Sequence, residues 1–131
     1  MPDRAPAQVL YVEDDRIHQI LMEEVCRQLP GLALRTAETG EEALAALRDG
    51  PPDLVLVDMN LPDTTGLALR RAVAADAALA VTLARTRWVA LSADDPCELV
   101  RAAREAGFDD YWVKPIDVPQ LQGSLRSLLI D

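Results

Sequence analysis

Four separated segments of this sequence carry polar groups of the kinds that handle cations and phosphate: Glu13-Asp14-Asp15, Asp58, Ser92 and Lys114. Carboxylates gathered in one place repel each other, and a raised pKa or a bound cation relieves the repulsion. Glu13 or Asp14 beside Asp58 makes an oxygen donor set for a hard divalent ion. Mg²⁺ (or Mn²⁺), held by one or two carboxylates plus waters, is the usual form beside phosphate. An aspartate in that setting can act as a nucleophile, attacking phosphorus to give an acyl phosphate. Phosphoryl transfer demands positioning and charge neutralisation more than covalent work from the protein. Lys114 would pair with one phosphoryl oxygen, and the Ser92 hydroxyl would donate to another. Lys114 is the only lysine, beside twelve arginines. That suits a position wanting a compact point charge, where a guanidinium fork would not substitute, although one lysine has to sit somewhere.

These groups act together only if the fold collects them, and the apolar pattern says how it can. Each follows a short strand-like run: Val9-Leu10-Tyr11-Val12, Leu54-Val55-Leu56-Val57, Trp88-Val89-Ala90-Leu91 and Tyr111-Trp112-Val113. The continuous run at 54–57 reads as a strand buried on both faces. Leu32 to Thr36 reads as a further strand. Helical spacing follows each strand: Ile17, Ile20, Leu21, Val25 and Leu29 form a stripe stopped by Pro30-Gly31. Thr39 and Glu42 form a capping box ahead of Ala43, Leu44 and Leu47. A third helix starts near Gly66, and no Gly or Pro between Leu67 and Arg87 marks its end, so a helix followed by an unsignalled loop is expected there. Asp95, Pro96 and Glu98 open a fourth helix, which Gly107 closes. The last helix, from about Val118 to Leu129, carries Leu121, Leu125 and Leu128. Five strands alternating with five helices imply an α/β fold, a parallel sheet with helices on both faces. Ligands of such sheets bind at the carboxyl ends of the strands, where all four polar segments fall.

Composition bounds the alternatives. The 131 residues suit one domain, with a core expected over about 8–129. A formal net charge of −9 argues against direct nucleic-acid binding, which needs clustered Lys and Arg. No stretch is long enough to cross a bilayer. Met1 to Gln8 lacks a secretory pattern, so a cytoplasmic setting is expected. Cys26 and Cys97 have no metal spacing and are expected to be reduced; a first-turn position could lower the Cys97 pKa, though packing is the plainer reading. Asp15 reads as a helix cap outside the site, His18 as an exposed residue off the Ile17/Leu21 stripe, and Trp88 and Trp112 as core.

The segments Tyr11-Val12-Glu13-Asp14-Asp15, Asp58-Met59-Asn60-Leu61-Pro62-Asp63-Thr64-Thr65-Gly66, Leu91-Ser92-Ala93 and Tyr111-Trp112-Val113-Lys114-Pro115 resemble, in order and placement, the receiver domains of bacterial response regulators and hybrid histidine kinases. The resemblance implies a flavodoxin-like, doubly wound (βα)5 fold with strand order 2-1-3-4-5. It implies Asp58 as phosphoacceptor, Glu13 and Asp14 as the acidic pair, and the Asn60 backbone carbonyl as a further metal contact. It makes Ser92 the switch hydroxyl, Tyr111 the switch aromatic (core on residue type alone), Lys114 the phosphate-binding lysine and Pro115 a residue that often follows a cis peptide. Asn60 and Asp94 match positions that modulate the acyl phosphate's lifetime. The implied donor is a phosphohistidine on a histidine kinase or phosphotransfer protein. The implied signalling surface is the family's fourth helix, fifth strand and fifth helix, serving a monomer or weak dimer in a two-component phosphorelay. The segment between Asp58 and Ser92 is longer than the family norm, with the excess placed between the third helix and fourth strand.

Two other classes remain as alternatives. One is a pseudo-receiver, an interaction module that never turns over phosphate; its usual mark is a lost acid, hydroxyl or lysine, and none is lost here. The other is a phosphatase with an aspartyl-phosphate intermediate, but Asp58-Met59-Asn60 lacks the second acid of the haloacid dehalogenase type. The expectation is therefore a protein that is not an enzyme towards external substrates.

Overall fold

Alternation of strand and helix periods along the chain becomes a five-stranded parallel sheet in the order β2-β1-β3-β4-β5. The structure, a computed structural model, describes residues 6–92, 97–114 and 117–129. The strands are β1 (Ala7–Val12), β2 (Leu32–Ala37), β3 (Leu54–Asp58), β4 (Arg87–Ser92) and β5 (Asp110–Val113). The helices are α1 (Arg16–Arg27), α2 (Gly40–Asp49), α3 (Gly66–Ala75), α4 (Ala77–Thr82), α5 (Cys97–Ala106) and α6 (Val118–Leu129). β3 is central and buried at every residue, as its unbroken apolar run requires.

Period-two alternation divides the strand side chains between two apolar layers. Leu10, Val12, Val55, Val57, Trp88 and Ala90 face one layer, with Leu47, Leu69 and Val73 from the helices and Phe108 from the turn after α5. Val9, Tyr11, Leu54, Leu56, Val89 and Leu91 face the other, with Met22, Val25, Leu121 and Leu125. Tyr111 and Trp112 lean on opposite layers, and each is half-buried. Trp88 is core as expected, 1% exposed.

Caps set the helix starts where short polar residues precede them. Asp15 Oδ1 accepts from Ile17 N at 2.9 Å, so it is the α1 cap that the sequence suggested. Thr39 Oγ1 accepts from Glu42 N at 3.0 Å, and Thr65 Oγ1 from Ala68 N at 3.0 Å. The Asp95-Pro96 start of α5, the Cys97 thiol, Asp94 and Pro115 lie outside the described residues.

Two expectations need correction. The α1 stripe is rotated: α1 buries Gln19, Met22, Val25 and Cys26, while Ile17, Ile20 and Leu21 are 68, 51 and 54% exposed. The Gln19 side chain explains the turn, because its amide donates 2.6 Å to the Glu13 carbonyl and fixes that polar residue inward. The long segment after α3 is not an irregular loop. Asp76 caps a sixth helix, α4, through Ala78 N and Leu79 N, and Leu79 and Leu83 bury into the first layer. With no Gly or Pro at the break, a side-chain cap alone divides two helices.

Candidate functional site

Parallel register brings the chemistry to one edge of the sheet. Val12 lies opposite Val57, Asp58 opposite Leu91 and Ser92 opposite Val113, so Glu13, Asp58, Ser92 and Lys114 all emerge at the carboxyl ends. Lys114 reaches back across the edge. Its Nζ donates to Glu13 Oε1 at 2.6 Å and to Asp58 Oδ2 at 3.0 Å, joining residues 101 and 56 positions apart. Glu13 and Asp58 are 1 and 7% exposed, and Asp14 projects to solvent beside them.

The loop after β3 is tied to Asp58 by the backbone. Asn60 N donates to Asp58 Oδ1 at 2.9 Å, and a lone bridge pairs Asn60 with Thr65. Gly66 closes the turn, its N–H donating to Met59 O at 3.1 Å. A Cβ on Gly66 would stand 2.7 Å from Met59 Sδ and 3.0 Å from the Asp58 carbonyl, so glycine permits the close return. Ser92 is 1% exposed, and its carbonyl accepts from Lys114 N at 2.7 Å.

Two residues that the sequence left out also touch the site. Tyr11, two residues before Glu13 on the same strand face, donates its hydroxyl to Glu13 Oε1 at 2.9 Å. His18 is half-exposed, yet its Nδ1 lies 3.2 Å from Glu13 Oε1 and 3.5 Å from Lys114 Nζ. Both were legible in principle: Tyr11 from strand alternation, and His18 from its place in the first turn after the Asp15 cap.

Electrostatics follow from this packing. Burial pushes the Asp58 pKa up, and the neighbouring Glu13 carboxyl adds to that, against hydrogen bonds from Asn60 N and Lys114. Burial also works on Glu13, but hydrogen bonding with Asp58, Lys114 and Tyr11 outweighs it and holds its carboxyl below the ordinary range. For Lys114, burial opposes the charge, and the hydrogen bonds to Glu13 and Asp58 outweigh it, raising its pKa. One ammonium therefore serves two buried carboxylates, with a third carboxylate alongside. Glu13, Asp14 and Asp58 can each offer an oxygen, the three lying within 4.8 Å of one another. An all-oxygen set of that size fits a hard divalent cation, which would relieve the surplus negative charge.

The chain resembles known proteins over nearly its whole length. It is 34% identical over 128 residues to the probable transcriptional regulatory protein TcrX of Mycobacterium tuberculosis, covering 97% of this chain and 51% of that protein. It thus spans about half the length of that relative. Among solved structures, a CheY-like response regulator receiver domain from Methylobacillus flagellatus superposes with a TM-score of 0.78 at 33% identity, covering 94% of this chain and 98% of that one. The Mn(2+)-bound form of response regulator Rcp1 gives a TM-score of 0.81 at 25% identity, covering 95% of this chain and 96% of that one. The response regulator receiver domain matches residues 9–126, which carry the sheet, five helices complete and most of α6, and the chain belongs to that family.

Proposed function

We propose that this chain is a phosphorylation-driven switch in which Asp58 accepts a phosphoryl group from a phosphohistidine of a histidine kinase or phosphotransfer protein. The observation that carries the reading is the Lys114 ammonium bonded to both Glu13 and Asp58, with Asp14 alongside. A carboxylate held like this has a cation at hand to neutralise incoming phosphoryl charge, which supports the reading.

Glu13, Asp14, Asp58 and the Asn60 carbonyl would hold Mg²⁺ or Mn²⁺, which supplies charge neutralisation for phosphoryl oxygens. An Asp58 carboxylate oxygen attacks phosphorus as the phosphorus–nitrogen bond to the donor imidazole breaks, and the imidazole takes up a proton. Lys114 then exchanges its hold on Asp58 for a phosphoryl oxygen. The Ser92 hydroxyl donates to another, and Tyr111 follows that movement towards the α5–β5–α6 surface. The donor docks beside the site on α1, where Ile17, Ile20 and Leu21 form an exposed ridge at helical spacing suited to a partner helix. The protein works as a monomer or weak dimer in the cytoplasm, with no external substrate, no direct nucleic-acid contact and no membrane insertion. Among the described residues no helix is long and apolar enough to cross a membrane.

Incubation with acetyl phosphate and Mg²⁺, followed by intact-mass measurement, tests the proposal. One phosphoryl adduct, lost in Asp58→Asn and on chelation of the metal, is expected. An unmodified wild-type protein under those conditions would leave a phosphate-independent interaction module as the better reading.

A further inference from the structure

The extra helix α4 builds a second concavity at the opposite end of the sheet from Asp58. It is a cleft of about 240 Å³ between α3, α4 and the start of β4. Buried Val73, Leu83 and Trp88 form its apolar floor, and the small side chains of Ala74, Ala80 and Ala84 leave its rim open.

Two charged residues line this apolar space, Arg70 and Asp109. The Arg70 guanidinium carbon lies 4.7 Å from the Trp88 ring centroid, and Arg70 Nε donates to the Gly107 carbonyl at 3.4 Å. Gly107 has φ +111°, and a Cβ there would stand 2.7 Å from an Arg70 terminal nitrogen, so the absence of a side chain makes the seat for the guanidinium. Of the Asp109 carboxylate, Oδ2 is committed to Trp88 N at 2.8 Å. Among the described residues, no hydrogen bond or ion pair engages the two terminal nitrogens of Arg70. A partly desolvated fork, stacked on an indole with its outer donors unused, is a receptor for a carboxylate.

We propose that this cleft binds a small organic monocarboxylate, its carboxylate on Arg70 and its short apolar body on Val73, Leu83 and Trp88. The volume falls below the ~300–1,000 Å³ of sites for drug-sized ligands, which restricts the class to small acids. The adjacent Asp109 charge selects against dianions. The site is independent of phosphoryl chemistry at Asp58, so it stands or falls separately from the proposed function.

The test uses the full chain carrying Trp112→Phe, which leaves Trp88 as the sole indole. Fluorescence and amide chemical shifts of 73, 83 and 88 are followed on titration with benzoate and 4-methylpentanoate up to roughly 10 mM, the range of a weak site. Saturable changes are expected with both acids, at least tenfold weaker with benzyl alcohol. Arg70→Gln should weaken benzoate at least tenfold, and Ala84→Leu, which fills the rim and keeps the arginine, should do the same. Absence of a saturable change in the parent chain would overturn the proposal. So would equal binding of benzyl alcohol and benzoate, or undiminished benzoate binding by Ala84→Leu with circular dichroism unchanged.

Discussion

The two ends of the sheet hold partly buried cations in different ways. At the carboxyl end, Lys114 sits between Glu13 and Asp58. At the amino end, Arg70 lies over Trp88 and bonds a backbone carbonyl. Ion pairs among side chains can be exchanged, because a metal or phosphoryl group offers each member a replacement partner. A ring and a main-chain oxygen cannot leave. The first end can therefore trade partners, and the second is built to stay in place.

The largest expected effect breaks the first end. Asp58→Asn removes the proposed nucleophile and should abolish phosphorylation by small-molecule donors, read by intact mass, while the thermal transition remains cooperative. Next comes Lys114→Met. It removes the ammonium that competes with a cation for Glu13 and Asp58, so Mg²⁺ should bind several-fold more tightly in a fluorescence titration even as phosphoryl uptake falls. Weaker Mg²⁺ binding in that variant would show that the lysine organises the carboxylates rather than competing for them.

A pH series sharpens the same contrast. Because the Asp58 pKa is raised, protons compete with the metal at pH values above the ordinary 3.8. Mg²⁺ affinity should therefore decline on acidification before that value is reached, and Asp58→Asn should flatten the decline. The Glu13 pKa is lowered from 4.5, so its share of folding stability is present above that value and lost as pH falls through its folded pKa. The Lys114 pKa is raised from 10.5, so its share is complete below that value and lost only as pH rises through the folded pKa.

At the amino end the expected effect is on stability and on the proposed cleft, with the carboxyl-end site untouched. Trp88→Ala should cost about 3–5 kcal/mol in urea unfolding, with Mg²⁺ affinity unchanged. The smallest stability effect belongs to Ile17→Ser with Leu21→Ser. These exposed residues should shift folding by no more than ~0.5 kcal/mol each. The same pair should slow transfer from a phosphohistidine protein and leave acetyl phosphate uptake intact.

What could be read in the sequence follows the range of the forces involved. Strand runs, caps and the last helix depend on local periodicity and on short side chains beside their own backbone. Val118–Leu129 and the Asp15 cap were therefore legible. The rotation of α1 was not, because a side-chain hydrogen bond from Gln19 to the Glu13 carbonyl, back across the β1–α1 turn, outweighs the apolar count of Ile17, Ile20 and Leu21. Helix α4 escaped because Asp76, an ordinary acid in sequence, acts both as the stop of α3 and as the cap of α4. Convergence of Glu13, Asp58 and Lys114 could be anticipated because parallel strands share an edge, and the His18 contact follows from its place in the first turn after the Asp15 cap.

That the chain contains one lysine has a practical use. Apart from the amino terminus, an acylating or aldehyde reagent meets a single primary amine, which sits between Glu13 and Asp58 with 14% of its side chain open to solvent. The rate of its labelling is a direct report on whether that pocket is open, filled or rearranged, without a dye or a mutation.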